Sequence, residues 1–245
     1  MSDQRLVTVD YLNSVVALRA VYRDMLLGSS FTTDQLNAIR AGDFSNLPIG
    51  SYWLHNGIHW RIVDINYYIG TGGSGGMSAP HLVVVADEPF AAQAMATSSR
   101  YGYAWSAMEL GTEGAGLASA RLAAQNFFGA GALKTHRQLF SNSEYNGKVS
   151  STIWVDSTGS LMSEVNVFGS RLTSALTYAL GMSTIDTQQF AAFRLDPSLI
   201  TRPRVNWWLR DVMDTDRFAT VGQYGNAEPR YCTSYAYLRP YFLIG

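Results

Sequence analysis

The sequence predicts an α+β fold, a helical segment followed by a β-rich body with further short helices, and three observations carry that expectation. Residues 9–27 repeat apolar side chains at three- and four-residue steps, residues from Ile49 onward switch to strand spacing, and the last forty residues contain short apolar strands. In the first segment Val9, Leu12, Val15, Val16, Leu18, Val21, Tyr22, Met25 and Leu26 share one helical face, which Gly28 would end. A second short helix is expected from Thr32 or Thr33, whose hydroxyl can accept from orphan first-turn amides, through Leu36 and Ile39 to Gly42. Residues 1–47 are thus a candidate helical assembly segment, for which ordinary core packing is the other role open, and residues 48–245 are the body.

The body begins with a hairpin turned at Asn56-Gly57, the strongest short hairpin signal. Alternation puts Trp60, Ile62 and Asp64 on one face, and His59, Arg61 and Val63 on the other. GTGGSGG at 70–76 reads as a loop; it lacks the terminal Lys-Ser/Thr of a phosphate-binding loop, which excludes nucleotide chemistry there. HLVVVA at 81–86 is a buried strand and LASARLAAQNFF at 117–128 a helix ended by Gly129 and Gly131. A turn follows at Ser157 to Gly159, a further short helix is expected over 172–180, and Gln188 to Leu195 is half-buried. NWWLRDV, RFATV and LRPYFLIG read as three strands, the last two separated by the polar, aromatic stretch GQYGNAEPRYCTSYAY.

Composition narrows the function classes. Of 245 residues only 15% are charged, against about 25% in ordinary soluble domains, so part of the surface is expected to be covered by a partner. With 18 Lys plus Arg against 19 Asp plus Glu, the chain has no basic footprint for nucleic acid. Apart from Lys134 and Lys148 every cation is arginine, whose planar fork suits interfaces; a GC-rich genome would give the same bias. The single Cys232 forms no internal disulfide and reads as a small buried residue. No signal-peptide pattern opens the chain, and no apolar run approaches the ~20 residues of a membrane span.

The motifs for chemistry are sparse. His55 and His59 are four apart but straddle a hairpin turn, so they do not share the face a zinc site needs. Asp211, Asp214, Asp216 and Glu228 form a loose acidic group; Asp214 and Asp216 could reach a calcium ion, but a solvated turn is the better reading. No paired carboxylates, nucleophile elbow or cofactor motif stands out, so neither enzymatic activity nor a cofactor is expected. The positive signal is recognition. Tyrosine interleaved with Ser, Thr, Asn, Arg and Gly is the composition of adaptable binding loops, and residues 223–237 have it.

The segments WWLRDV (207–212), FATV (218–221), GNA (225–227) and LRPYFLIG (238–245), with GSYWLHNGIHWRIVD and TIWVDSTGSLMSEVNVFG upstream, resemble a domain family of phage and prophage proteins. Their WLR…RP-F frame is similar to that of C-type-lectin-like domains in formylglycine-generating enzymes and in the variable tropism proteins of diversity-generating retroelements. The resemblance covers roughly residues 48–245 and implies two antiparallel sheets with flanking helices. It implies that Trp208, Leu209, Arg210, Leu238, Arg239, Pro240 and Phe242 are framework. It also implies that Asp214, Asp216, Arg217, Gln223, Tyr224, Asn226, Glu228, Arg230, Tyr231, Ser234, Tyr235 and Tyr237, within a ligand-binding part at about 200–245, contact a ligand. The enzymatic relatives need cysteines that this chain, with Cys232 alone, lacks, so their oxidase activity does not carry over. The expectation is a virion surface protein, made in the host cytoplasm and placed on a tail or similar structure, that binds a host surface protein or glycan. It would contact other virion proteins and form a homo-oligomer, such as a trimer, without nucleic acid or membrane insertion. A purely structural virion component, a head decoration or connector whose aromatic surface docks on neighbouring subunits, is the alternative.

Overall fold

The computed structural model describes residues 22–72, 76–96, 115–145, 148–173, 186–214 and 216–245. In chain order, α1 (Thr33–Ala41) precedes β1 (Tyr52–His55), β2 (Ile58–Ile65), β3 (Leu82–Ala86) and β4 (Phe90–Ala94). Then come α2 (Ala115–Phe128), β5 (Leu133–Lys134), the hairpin β6 (His136–Tyr145) and β7 (Lys148–Ser157), β8 (Ser160–Leu161) and α3 (Glu164–Phe168). The C-terminal third holds α4 (Ala191–Leu195), α5 (Ser198–Thr201), β9 (Trp207–Val212), β10 (Arg217–Val221), β11 (Ala227–Tyr231), β12 (Tyr235–Leu238) and β13 (Pro240–Ile244). The chain is mixed α+β; among the described residues the named strands pair antiparallel apart from β12 with β9, and Leu26 makes a parallel bridge to Tyr52 of β1.

One sheet runs β1-β2-β3-β13-β5, with β8 also paired to β13, so the C-terminal strand lies inside the sheet. Both faces of this sheet are covered, which is why β3 and β13 are apolar throughout rather than alternating. On one side Trp53, Trp60, Ile62, Val84 and Phe242 pack with Ile39 of α1 and with Ala120, Ala124, Phe127 and Phe128 of α2. The Trp53 and Trp60 rings each stand edge-on to Phe128 at 5.6 Å, the preferred geometry for aromatic pairs. On the other side Val83, Val85, Tyr241 and Leu243 meet α4, α5 and the inner residues Trp207, Leu209, Ala219 and Val221 of the second sheet, ordered β11-β10-β9-β12-β4. A third cluster, with Trp208, Phe218, Cys232, Ala236 and Leu238, lies on the second sheet's opposite face.

Several local signals act as read. Asn56 and Gly57 both take positive φ, 50° and 78°, as a two-residue hairpin turn requires. Thr32 accepts from the Gln35 amide at 3.2 Å while Gln35 reaches back to the Thr32 amide at 3.0 Å, a capping box that starts α1; Gly42 ends it at φ 75°. The 117–128 helix is α2, ended by Gly129.

Other expectations are corrected. The helix expected over 9–27 does not include 22–27, which run extended beside β1: Arg23 N–H donates to Ile49, Tyr52 N–H to Met25 and Leu27 N–H to Tyr52. The strand edge offers these backbone groups partners a helix would otherwise supply, and the Tyr22 ring fills the space a side chain at Gly50 would need. Residues 9–21 lie outside the described residues. Asp64 is not on the Trp60 and Ile62 face; a bulge between Ile62 and Asp64 shifts the register and pairs Asp64 with Val83. Its carboxylate accepts from the Ala191 and Ile65 amides at 2.8 Å each, tying β2 to the first turn of α4. Of the helix expected over 172–180, Leu172 and Thr173 are non-helical and 174–180 lie outside the described residues. LRPYFLIG is two strands rather than one: β12 ends at Leu238 in one sheet, and Pro240 opens β13 in the other. The stretch read as separating strands holds two, β11 and β12.

Candidate functional site

The residues read as framework are the ones that fix the C-terminal part. Trp208, Leu209, Arg210, Leu238, Arg239, Pro240 and Phe242 are all buried. Two are guanidinia, and each is matched by a buried carboxylate. Arg210 pairs with Asp186 and lies over the Phe140 ring at 4.9 Å. Arg239, at the switch between the two sheets, donates to the carbonyls of Ala86 at 3.1 Å and Leu199 at 2.8 Å. Its guanidinium also lies 3.7 Å from Asp87 and between the rings of Phe193 and Trp207. Burial pulls the Arg239 pKa down to about 10, and Asp87 opposes that pull.

The twelve residues read as ligand contacts all retain solvent exposure, and they fall on two neighbouring features. The first is the tip of the β10–β11 hairpin. Gly225 N–H donates to Gly222 and Gly222 N–H to Asn226, at 2.8 and 2.7 Å, and Asn226 donates its side-chain amide to Glu228 at 2.8 Å. A side chain at Gly225, whose φ is 86°, would overlap the Thr201 methyl, so glycine lets the tip lie against α5. The second feature is the turn joining β11 to β12, closed by the Ser234 N–H to Tyr231 bond at 2.9 Å. Here Arg217, paired with Asp214, stands 5.8 Å from the Tyr231 ring, and Arg230 is 3.9 Å from Glu228. Asp216 is half-exposed beside Arg217 in sequence.

Asn206, which the sequence reading passed over, links the two features. Its side-chain oxygen accepts from the Gln223 amide at 2.8 Å, and its carbonyl accepts from the Tyr237 amide at 2.9 Å. Tyr235 and Tyr237 alternate with Ala236 and Leu238, which enter the third cluster, so the two rings project from the other face of β12. The outcome is four exposed tyrosines on ordered backbone: Tyr224 is 82% exposed, Tyr235 71%, Tyr231 54% and Tyr237 38%. Their carriers are strands and a tight turn rather than the loops expected. The period-two alternation of Tyr235, Ala236, Tyr237 and Leu238 was the available signal.

Beside the tip, Thr201, Arg204, Gln223 and Tyr224 line an open groove of about 400 Å³. Thr201 and Arg204 were also passed over, because only the tertiary approach of α5 to the hairpin brings them to the tip.

No family model, curated protein or solved structure matches this chain.

Within the candidate site the Asp214 carboxylate raises the Arg217 pKa; the displaced carboxyls and imidazole lie elsewhere. Burial pushes the carboxyls of Asp64 and Asp211 up to about 6 and the His136 imidazole down to about 3. All three face inward. Asp211 accepts from the Glu164 amide at 2.6 Å, and His136 shares a hydrogen bond with Tyr241 at 2.8 Å, so their shifts report burial in the core rather than a cleft. Among the described residues no three His, Cys, Asp or Glu side chains are grouped to hold a metal ion. The Asp214 carboxylate is taken up by the Arg217 amide and guanidinium. No helix among the described residues is long and apolar enough to cross a membrane.

Proposed function

We propose that this chain is a virion surface protein with a C-type-lectin-like body, whose C-terminal tyrosine face attaches to a host surface protein or glycan. The observation that carries this reading is the exposure of Tyr224, Tyr231, Tyr235 and Tyr237 over a buried, ion-paired frame. Tyrosine gives a large contact area for little side-chain entropy, and on ordered strands it loses still less. Two largely antiparallel sheets with flanking helices support the lectin-like body.

Substitution of both Tyr235 and Tyr237 by alanine is expected to abolish attachment of the labelled protein to cells of the strain that carries the gene. The circular dichroism spectrum should be unchanged, since both rings leave the cores intact. Undiminished attachment would overturn the assignment. Attachment to virions but not to cells would favour the structural alternative, in which the same face docks on neighbouring subunits.

Oligomerisation through the N-terminal segment belongs to this proposal. Residues 22–47 help seal the Trp53–Trp60 core, through Leu27, Phe31, Ile39 and Leu47, so a deletion to residue 47 would unfold the body and test nothing about assembly. A chain lacking residues 1–21 keeps that seal. It is expected to show a lower oligomer mass by light scattering than the full chain, and an unchanged mass would remove this segment from the assembly.

A further inference from the structure

The groove beside the hairpin tip carries a more specific assignment, one that rests on the host-attachment reading and names a ligand for it. We infer that it is a subsite for a pyranose bearing a carboxylate, an acidic sugar at the surface of a cell.

Charge comes first. Arg204 is exposed, and among the described residues its guanidinium has neither an ion pair nor a hydrogen bond. Its neighbour Arg202 is by contrast committed to Asp87 at 3.0 Å and lies 4.0 Å from Asp24. Among the described residues no acidic side chain lines the groove, and the nearby Glu228 is held by Asn226. Among the described residues the unspent charge facing this space is therefore positive, and a planar guanidinium selects a carboxylate through two parallel hydrogen bonds.

Shape and the remaining lining specify the rest. Arg204 has φ 52°, a left-handed conformation that is unfavourable for a non-glycine residue, and its amide is fixed by the Thr201 carbonyl at 2.9 Å. The backbone thus holds the arginine at one wall although another residue would sit there at lower cost. Opposite, the tight turn presents Tyr224 with nearly its whole ring free, a flat apolar face for the C–H side of a sugar ring. Gln223 offers an amide that both donates and accepts, and the Thr201 hydroxyl, which donates to Ser198 at 3.0 Å, keeps lone pairs for a sugar hydroxyl. A volume of about 400 Å³ falls at the small end of ligand pockets. A bare phosphate would engage the arginine and leave the ring, amide and hydroxyl unused.

The test is titration of the full chain with trigalacturonic acid and with N-acetylneuraminic acid, against the neutral sugars maltotriose and lactose, by calorimetry. Binding of either acidic sugar but not the neutral ones is expected, and the two acids distinguish a uronate from a sialic-type ligand. Arg204→Gly suits the positive φ, so this variant folds at least as stably as the parent. It should bind at least about tenfold more weakly, the loss expected of one bidentate charged contact. Tyr224→Ala should weaken binding comparably, while Tyr224→Phe, which keeps the ring, should not. Equal binding of acidic and neutral sugars, or undiminished binding by the Arg204→Gly chain, would overturn the subsite. If cells are bound but neither acidic sugar binds, the subsite fails while the attachment reading stands. If the acidic sugars bind and cells do not, the subsite stands and the attachment reading fails.

Discussion

Replacement of Asp87 by alanine is expected to leave the chain unfolded at room temperature. Asp87, 3% exposed, is the shared counter-charge of two fully buried guanidinia and of a third at the surface. Arg61 grips it with Nε at 2.9 and 3.0 Å from the two oxygens and with a terminal nitrogen at 2.5 Å. Burial alone would push the Arg61 pKa down, but Asp87 and Asp24 together hold it above the ordinary value. Arg239, already pulled down by burial, has Asp87 as the largest opposing influence. Removing one member of a buried pair costs about 3–5 kcal/mol because the other charge stays behind unpaired. Here Arg239 loses its carboxylate and Arg61 keeps only the half-exposed Asp24, at 2.8 Å, against a total stability of about 5–15 kcal/mol for a typical domain. The far-ultraviolet circular dichroism and thermal transition of Asp87→Ala decide the matter. Asp87→Asn, which keeps shape and one acceptor, should retain a transition at a clearly lower temperature. A melting temperature within a few degrees of the parent for both variants would mean that water reaches these guanidinia.

That cluster also shows which features the sequence made legible. WWLRDV and LRPYFLIG were readable as strands from their apolar runs, their framework role came with the resemblance, and the Asn56-Gly57 hairpin was readable because its turn needs two positive φ values. Arg61 and Arg239 could be placed on strands, but their meeting at Asp87 joins residues from β2, from the β3–β4 connection and from the switch between sheets. No spacing rule encodes such a meeting. The Asp64 bulge was hidden for a related reason: one extra residue reverses every assignment after it, and alternation assumes none. For the candidate site, the tyrosines were visible from composition. The groove was not, because Arg204 and Thr201 precede β9 and only Gly225, by admitting the Thr201 methyl, brings them to Tyr224.

Asp211→Asn is expected to change how stability depends on pH, by about 2 kcal/mol between pH 7 and pH 4. The carboxyl is buried against the Glu164 amide and near Glu164 itself, and burial raises its pKa from 3.8 to about 6 despite the nearby Arg171 and Arg210. A folded-state pKa above the unfolded one means that the native chain holds the proton more tightly. The stabilisation is fully present below pH 3.8 and is lost as pH rises through 6. Two pKa units correspond to about 3 kcal/mol once both states are protonated, of which about 2 kcal/mol has developed by pH 4. Asparagine cannot ionise but can still accept from the Glu164 amide, so it should be worth more at pH 7 than at pH 4, relative to the parent. His136 acts in the opposite sense: its folded pKa lies near 3 against an ordinary 6.5, so its unfolded form takes up a proton first, and stability falls as pH drops below 6.5. Asp64, raised to about 6 like Asp211, acts in the same sense as it. Both His136 and Asp64 are common to parent and variant and cancel in the difference, provided that neither is strongly coupled to residue 211. Urea unfolding of both chains at pH 7, 5.5 and 4 measures that difference directly. A gap between parent and variant that is the same at all three values would show that Asp211 ionises in the folded chain as freely as in the unfolded one.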